Sequence, residues 1–301
     1  MKERILIAGG KGYLGQLLFR YFTNLGHEVY CLTRKPQSET DVYWDGETYG
    51  EWIHVLNRCS VLINLAGKSV NCRYTKKNKK VIFDSRIRST QILGQAVRIS
   101  KTPPRLWINS STATIYDHSE TRANTEKNGI IGNDFSMNIA KDWEKAARDS
   151  NVSSNTRQVF LRTSVVIGRT SEAYSILKTL VKYGLGGKHG SGKQMMSWIH
   201  DNDFIRGIEF IMNHNELEGA INLTSPKPIS NLQFMNTLRQ CLKSRFGISH
   251  PEFLLKIGAL VIGTESELLL KSRYVVPDLL LNTGFTFKYP NIKDAFTEIE
   301  G

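Results

Sequence analysis

An α/β architecture, a doubly wound parallel sheet with a smaller and mostly helical C-terminal part, follows from three features of the 301-residue chain. Short apolar, β-branched runs alternate with helix-length amphipathic segments up to Gly168, and that alternation specifies parallel strands joined by covering helices. The chain opens on a strand, a glycine turn and a helix. After Gly168 the pattern gives way to a glycine-rich loop and further helices, the composition of a substrate cap.

The first strand is Ile5 to Ala8, the turn is Gly9-Gly10-Lys11-Gly12-Tyr13-Leu14-Gly15, and the first helix is Gln16 to Asn24. Gly9, Gly12 and Gly15, three apart, leave bare backbone for a diphosphate, and the helix start turns its free N–H groups and positive end toward the anion. In this strand and helix context the loop is the fingerprint of a Rossmann dinucleotide-binding unit. Further strands are read at Val29 to Leu32, Val42 to Trp44, Val61 to Leu65, Leu106 to Ile108 and Gln158 to Leu161. Helices at Gly50 to Asn57, Lys79 to Ser100, Ser136 to Asp149 and Ala173 to Tyr183 each carry an apolar face at helical spacing and cover both sheet faces. Beyond the loop from Gly184 to Gly192 come Met195 to Ile199, two amphipathic helices near Asp201 to Asn213 and Asn231 to Lys243, and an aliphatic C-terminal section.

The end of the second strand, Cys31-Leu32-Thr33-Arg34-Lys35, bears on the choice of dinucleotide. An NAD site usually sets Asp or Glu there for the ribose hydroxyls, and a carboxylate would repel a 2′-phosphate. Arg34 instead offers a planar fork for the phosphate and a face for adenine, with Lys35 as added charge. NADP(H) is therefore expected over NAD(H).

Forty basic against twenty-eight acidic residues give a formal charge of +12, which favours an anionic ligand. The charge is dispersed. Its densest run, Arg73 to Lys80, lacks an aromatic platform or recognition helix and reads as a solvated loop and helix start, so nucleic acid is not the expected partner. Cys31, Cys59, Cys72 and Cys241 have no paired spacing, which argues against a disulfide framework or a zinc knuckle and for a reducing, cytoplasmic setting; no metal is expected. The N-terminal apolar run stops at Gly9, short of a secretory signal. Phe253 to Ile262 is apolar but broken by Lys256 and Gly258, so no membrane span is expected.

At this point the chain resembles the extended short-chain dehydrogenase/reductases, the nucleotide-sugar epimerase and dehydratase superfamily. GGKGYLG has that group's GxxGxxG form, and Val61-Leu62-Ile63-Asn64-Leu65-Ala66-Gly67 is similar to its fourth strand with an NxAG end. Asn109 to Tyr116 resembles the fifth strand, Leu161 to Gly168 the sixth, and Ser197-Trp198-Ile199-His200-Asp201-Asn202-Asp203 the segment that returns to the sheet. Asp84-Ser85-Arg86-Ile87, the run from Gly184 to His200, and a C-terminal module at Pro251 to Phe296 with Tyr274-Val275-Val276-Pro277 and Thr283-Gly284-Phe285-Thr286-Phe287 are similar to an atypical, epimerase-like branch. The resemblance implies a dinucleotide-binding domain over 1–168, with 200–224 returning to it, and a substrate domain over 169–301 that includes the module, about 251–297. It implies a homodimer through the long helices of Lys79 to Ser100 and Ser136 to Asp149.

The resemblance puts Gly9, Gly12, Tyr13, Leu14 and Gly15 on the diphosphate, Thr33, Arg34 and Lys35 at the adenosine end, and Ala66 and Gly67 along the middle. Ser110 and the backbone of Ser164, Val165 and Val166 would face the nicotinamide ribose and amide, and Thr112 would orient the reacting carbonyl. Arg86, Ser197, Trp198 and His200 fall on the substrate side. Active members also set Tyr and Lys four apart on one helix face, where the ammonium lowers the phenol pKa. Here Ser136 and Ala140 stand in those places. Lys141 is rotated from that face by about 100°, and Tyr116 is read as the packed tyrosine of the fold. Positioned acid–base help is worth roughly 10² to 10⁴ in rate, so its loss slows hydride transfer unless another donor acts: a substrate phosphate, an ordered water, Lys141 or His200. Two functions follow. One is an NADP(H)-dependent oxidoreductase or epimerase-like enzyme on a small polar or anionic substrate; the other is an NADPH-binding sensor or regulatory protein without turnover.

Overall fold

The computed structural model describes residues 2–255, 260, 265 and 267–301. Seven parallel strands form the central sheet, in the order β10 (Gly219–Leu223), β6 (Arg157–Thr163), β5 (Leu106–Thr112), β4 (Val61–Asn64), β1 (Arg4–Ala8), β2 (Glu28–Thr33), β3 (Asp41–Tyr43). The chain runs outward from β1 to β3, then crosses back to β4 and runs outward the other way. The strand order therefore reverses between β1 and β4, and ligands of such sheets bind at the carboxyl ends of the strands flanking that reversal.

Alternation along the strands feeds two cores. Ile5, Ile7, Ile63, Ile108 and Leu161 face α1 (Tyr13–Asn24) and α6 (Asp201–Asn213), where they meet Leu18, Phe22, Phe204 and Ile208. Leu6, Ala8, Leu62, Trp107 and Phe160 face the opposite side, covered by α2 (Trp52–Leu56), α3 (Lys76–Ile99) and α4 (Phe135–Arg148) through Trp52, Leu93, Val97 and Ala147. A third core lies off the sheet: α5 (Glu172–Lys182), α7 (Asn231–Cys241) and the last helix (Ile292–Glu300) enclose Tyr174, Phe234 and Phe296. Beside it are two short ladders, β7 (Val165–Ile167) with β9 (Trp198–His200) and β8 (Met195–Met196) with β11 (Ile229–Ser230).

Some boundaries move from those the sequence suggests, each for a local reason. α1 starts at Tyr13 because Gly12 is its N-cap, and α3 starts at Lys76 because the Thr75 hydroxyl accepts from Asn78 N at 3.2 Å. β5 runs on to Thr112, where polar Ser and Thr keep the ladder through Thr112 opposite Thr163. Of the apolar stretch from Phe253 to Ile262, positions 256–259 and 261–262 lie outside the described residues. Among the described residues no helix is long and apolar enough to cross a membrane.

One buried polar network fastens α4 to the sheet. The Arg162 guanidinium on β6 donates two bonds to Glu144 on α4, Nε to Oε1 at 2.7 Å and Nη2 to Oε2 at 2.9 Å, and a third to the Tyr116 oxygen at 2.8 Å. Ser111 Oγ and Arg148 Nη2 add to the same carboxylate at 2.8 and 2.9 Å. The Tyr116 hydroxyl in turn donates to Asn222 Oδ1 on β10 at 2.9 Å. Burial resists ionisation of Glu144, but the Arg162 fork, its charge and the Ser111 hydroxyl outweigh it and hold the carboxyl below its ordinary range.

Candidate functional site

The loop after β1 forms a backbone cradle. Gly9 has φ +79°, and a Cβ there would stand 2.9 Å from the Leu65 carbonyl group; at Gly15 a Cβ would stand 2.6 Å from Gly10 Cα and 2.7 Å from Gly9 O. Only hydrogen fits at either place. Gly12 N donates to Gly9 O at 3.1 Å and closes the turn. As N-cap, Gly12 brings no side-chain acceptor to the start of α1, so the first-turn amides of Tyr13, Leu14 and Gly15 have no side-chain cap. At the carboxyl end of β6, the Ser164 hydroxyl is buried without a hydrogen-bond partner. A cradle lined by main-chain N–H and an orphaned hydroxyl at the far end of the same sheet edge both suit a dinucleotide.

Past the glycine loop in sequence, Thr33 closes β2 and its hydroxyl accepts from Lys35 N at 3.2 Å, while Arg34 and Lys35, read from the sequence as the adenosine end, are exposed. A residue the sequence reading passed over links this turn to the glycine loop. Lys11, inside the glycine loop, lies 2.7 Å from Asp41, which also accepts from Gln37 N and Ser38 N at 2.8 and 3.0 Å and so ties the turn after β2 to the glycine loop. Burial resists the Asp41 charge, yet Lys11 and the turn amides hold its carboxyl below the usual range. The signal available in sequence was a lysine between two loop glycines.

Along the middle, the Asn64 side chain accepts from Ala66 N at 3.0 Å and donates to Asn109 at 2.7 Å, which sets the exit of β4 beside that of β5. Gly67 follows, 3.1 Å from the Arg86 guanidinium carbon measured from a Cβ built on it. Ser110 is partly buried near the end of β5, and Thr112 closes that strand with its hydroxyl accepting from Thr114 N at 3.1 Å. Val165 is 46% exposed, and Val166 packs partly against the α1 side core.

α4 carries neither tyrosine nor lysine at its first two core-facing turns. Ser136 lies in the first turn, and Ala140 is fully buried among Ala113, Ile115, Tyr116 and Val275. Lys141 points elsewhere, its Nζ donating to Asn133 at 3.0 Å. Tyr116 is 1% exposed and fixed by Arg162 and Asn222.

Of the residues read as substrate-side, three are deeply buried and hold the C-terminal segment. Ser197 Oγ donates to Arg273 O at 2.6 Å and accepts from Val275 N at 2.9 Å, and Trp198 fills the third core. His200 Nδ1 caps α6 by accepting from Asn202 N at 3.1 Å, its Nε2 lies 2.9 Å from Glu298, and its ring packs 4.2 Å from that of Tyr289. The Tyr13 phenol likewise donates to Asp201 at 2.8 Å, joining the starts of α1 and α6; burial first, then that carboxylate, push the phenol pKa well up.

Arg86 differs from these. Asp84 pairs with Lys80 and Arg88, and among the described residues no carboxylate lies within ion-pair distance of Arg86. Its guanidinium donates to the carbonyls of Lys68 and Ile82 at 3.0 and 3.1 Å and lies 5.0 Å from the Trp143 ring. Burial pushes its pKa down to about 10. Among the described residues no group of three or more His, Cys, Asp or Glu is arranged to hold a metal ion.

The NAD dependent epimerase/dehydratase family matches the chain over residues 5–223, and a domain of unknown function matches residues 250–299. The chain is 31% identical over 302 residues to an epimerase family protein of Staphylococcus epidermidis, covering 99% of each. It is 31% identical to the human epimerase family protein SDR39U1 over 300 residues, 98% of this chain and 99% of the other. The crystal structure of that human protein (isoform 2) with NADPH matches with a TM-score of 0.88 at 29% identity over 99% of both chains. A nucleoside-diphosphate sugar epimerase from Corynebacterium glutamicum matches with a TM-score of 0.81 at 28% identity, over 100% of this chain and 59% of that one.

Proposed function

Since the chain belongs to the NAD dependent epimerase/dehydratase family, we propose that it binds NADP(H) and uses it in an oxidoreductase or epimerase-like reaction on a small polar or anionic substrate. The observation that carries this reading is the glycine cradle against the uncapped start of α1. When bound, the dinucleotide supplies or accepts a hydride at its nicotinamide. The α1 amides bind the diphosphate, Arg34 and Lys35 the 2′-phosphate, and the Ser164 hydroxyl and the Val165–Val166 backbone the nicotinamide end. Thr112 orients the reacting carbonyl, and Arg86 receives the anionic group of the substrate. The human relative solved with NADPH supports the phosphorylated coenzyme.

Quenching of tryptophan fluorescence is expected at much lower NADPH than NADH. Replacing Arg34 with Ala removes a charge-assisted fork from the 2′-phosphate, so NADPH affinity should fall by about tenfold, roughly 1.4 kcal/mol, with NADH little changed. Parallel losses for both coenzymes would remove the role given to Arg34. With a carbonyl substrate in hand, Thr112→Ala is expected to lower kcat by about 10- to 100-fold, the low end of what one positioned group is worth; unchanged turnover would take Thr112 out of the site.

Ser136 and Ala140, where active relatives are expected to carry Tyr and Lys, favour a second reading: a protein that holds NADPH for sensing or partner contact and turns nothing over. NADPH binding together with failure to oxidise NADPH with any aldehyde, ketone or nucleotide sugar would decide for it.

A further inference from the structure

We propose that the free edge of the Arg86 guanidinium is a carboxylate receptor, so that the substrate is a carbonyl compound bearing a carboxylate, an oxo acid in the reductive direction. This deepens the reading above and rests on its coenzyme site, though not on turnover.

Hydrogen bonds and close approaches place the cation at the reversal of the sheet. A Cβ on Gly9 would stand 2.9 Å from the Leu65 carbonyl group and 3.0 Å from Ala66 N, so the glycine cradle packs on the backbone that leaves β4. Gly67 and Lys68 follow at once. The Lys68 carbonyl accepts from Arg86 Nη1 at 3.0 Å, and a Cβ on Gly67 would stand 3.1 Å from the guanidinium carbon and 3.3 Å from Arg86 Cγ. The bare backbone of Gly67 is what lets Arg86 lie along it. The Trp143 ring, 5.0 Å from the guanidinium, is tied to the same frame: its Nε1 donates to Thr90 Oγ1 at 2.9 Å, Thr90 accepts from Asn64 at 3.0 Å, and Asn64 accepts from Ala66 N.

The bonds Arg86 makes, and those it leaves over, select the ligand. Arg162 is matched to Glu144 by two bonds and gives a third to Tyr116, whereas Arg86 meets no carboxylate among the described residues. Holding a cation partly away from water without a counter-charge disfavours folding. Stability gives no reason for a charge there, and an anionic ligand does. Nη1 is used up on the carbonyls of Lys68 and Ile82, which fix the guanidinium plane. Nε and Nη2 have no hydrogen-bond partner among the described residues and are not sealed from solvent. They form one edge with two parallel N–H groups, the match for two oxygens of a planar carboxylate. One positive charge balances that monoanion, and a phosphate dianion would leave charge over.

Calorimetry of the NADPH-loaded protein with oxamate, its uncharged counterpart oxamide, and inorganic phosphate tests this. Oxamate should bind, with oxamide and phosphate weaker by about tenfold or more. Arg86→Met should weaken oxamate by about tenfold or more and leave NADPH affinity within about twofold. Arg86→Lys keeps the charge without the fork and should lose oxamate to a similar extent. The thermal midpoint of Arg86→Met should match or exceed that of wild type, since the variant buries no unpaired cation. Oxamate that fails to bind wild type, binds Arg86→Met equally, or binds less tightly than phosphate would overturn the proposal. A parallel loss of NADPH would overturn it too, by giving the guanidinium to the coenzyme. A lower midpoint in Arg86→Met with oxamate binding kept would make Arg86 a structural residue. A wild-type protein that takes no NADPH would sink the coenzyme reading, and oxamate on the free protein would still report on Arg86.

Discussion

Gly12→Val should fold as the wild type does and lose NADPH, with affinity falling by about 100-fold, roughly 2.7 kcal/mol. The loop glycines are not equivalent. At Gly15 an added Cβ strikes backbone at 2.6 Å, so any side chain there disturbs the fold and the site together. At Gly12 an added Cβ meets nothing closer than Gly9 O at 3.4 Å, an ordinary contact, and φ is −74°, which any residue adopts. The protein itself therefore has room for a side chain at Gly12. That room adjoins the α1 amides, where the diphosphate must approach bare backbone. Calorimetry of the variant with NADPH checks the loss, and its thermal midpoint, expected within about 2 °C of wild type, checks that the loss is local. Undiminished binding by a folded Gly12→Val protein would move the diphosphate away from the cradle.

Glu144→Ala is expected to cost stability rather than binding, by about 3 to 5 kcal/mol, because it leaves Arg162 buried without its counter-charge. For a chain of this length that is a fall of roughly 10 °C in thermal midpoint. The double variant Glu144→Leu/Arg162→Met should recover much of it, since an apolar pair of similar volume carries no desolvation cost. The same pair sets a pH dependence. The Glu144 carboxyl is lower in the folded than in the unfolded chain, so its contribution is complete above the ordinary glutamate value of 4.5 and is lost as pH falls from there through the depressed folded value. Acid unfolding in that window should shift to lower pH and become shallower in the double variant. An Arg162→Met protein as stable as wild type would contradict this account.

The sheet was legible because its signals are local: apolar, β-branched runs of three to five residues, glycines at a turn, and amphipathic segments between them. Ends were less so, since Thr75 as a cap and the polar tail of β5 depend on one hydrogen bond each or on a partner strand. The site divides in the same way. Arg34 and Lys35 stand exposed just past β2 because a strand's end is set by its own residues. Interactions between distant segments were not readable. Arg162 meets Glu144 across eighteen residues, through packing of α4 on the sheet that no spacing encodes. His200 as a helix cap escaped for another reason: imidazole is not among the usual capping side chains, and its partner Glu298 lies at the other end of the chain.

β10 has a consequence for how the chain is made. It pairs in parallel with β6, yet more than fifty residues, including α5, β8, β9 and α6, are synthesised between them. Until Gly219–Leu223 leaves the ribosome, β6 presents an open edge of unpaired amides and carbonyls, the surface on which nascent chains aggregate. A fragment ending at Gly168 carries the whole glycine loop but keeps that edge bare for good, and its insolubility would report on assembly, not on the nucleotide.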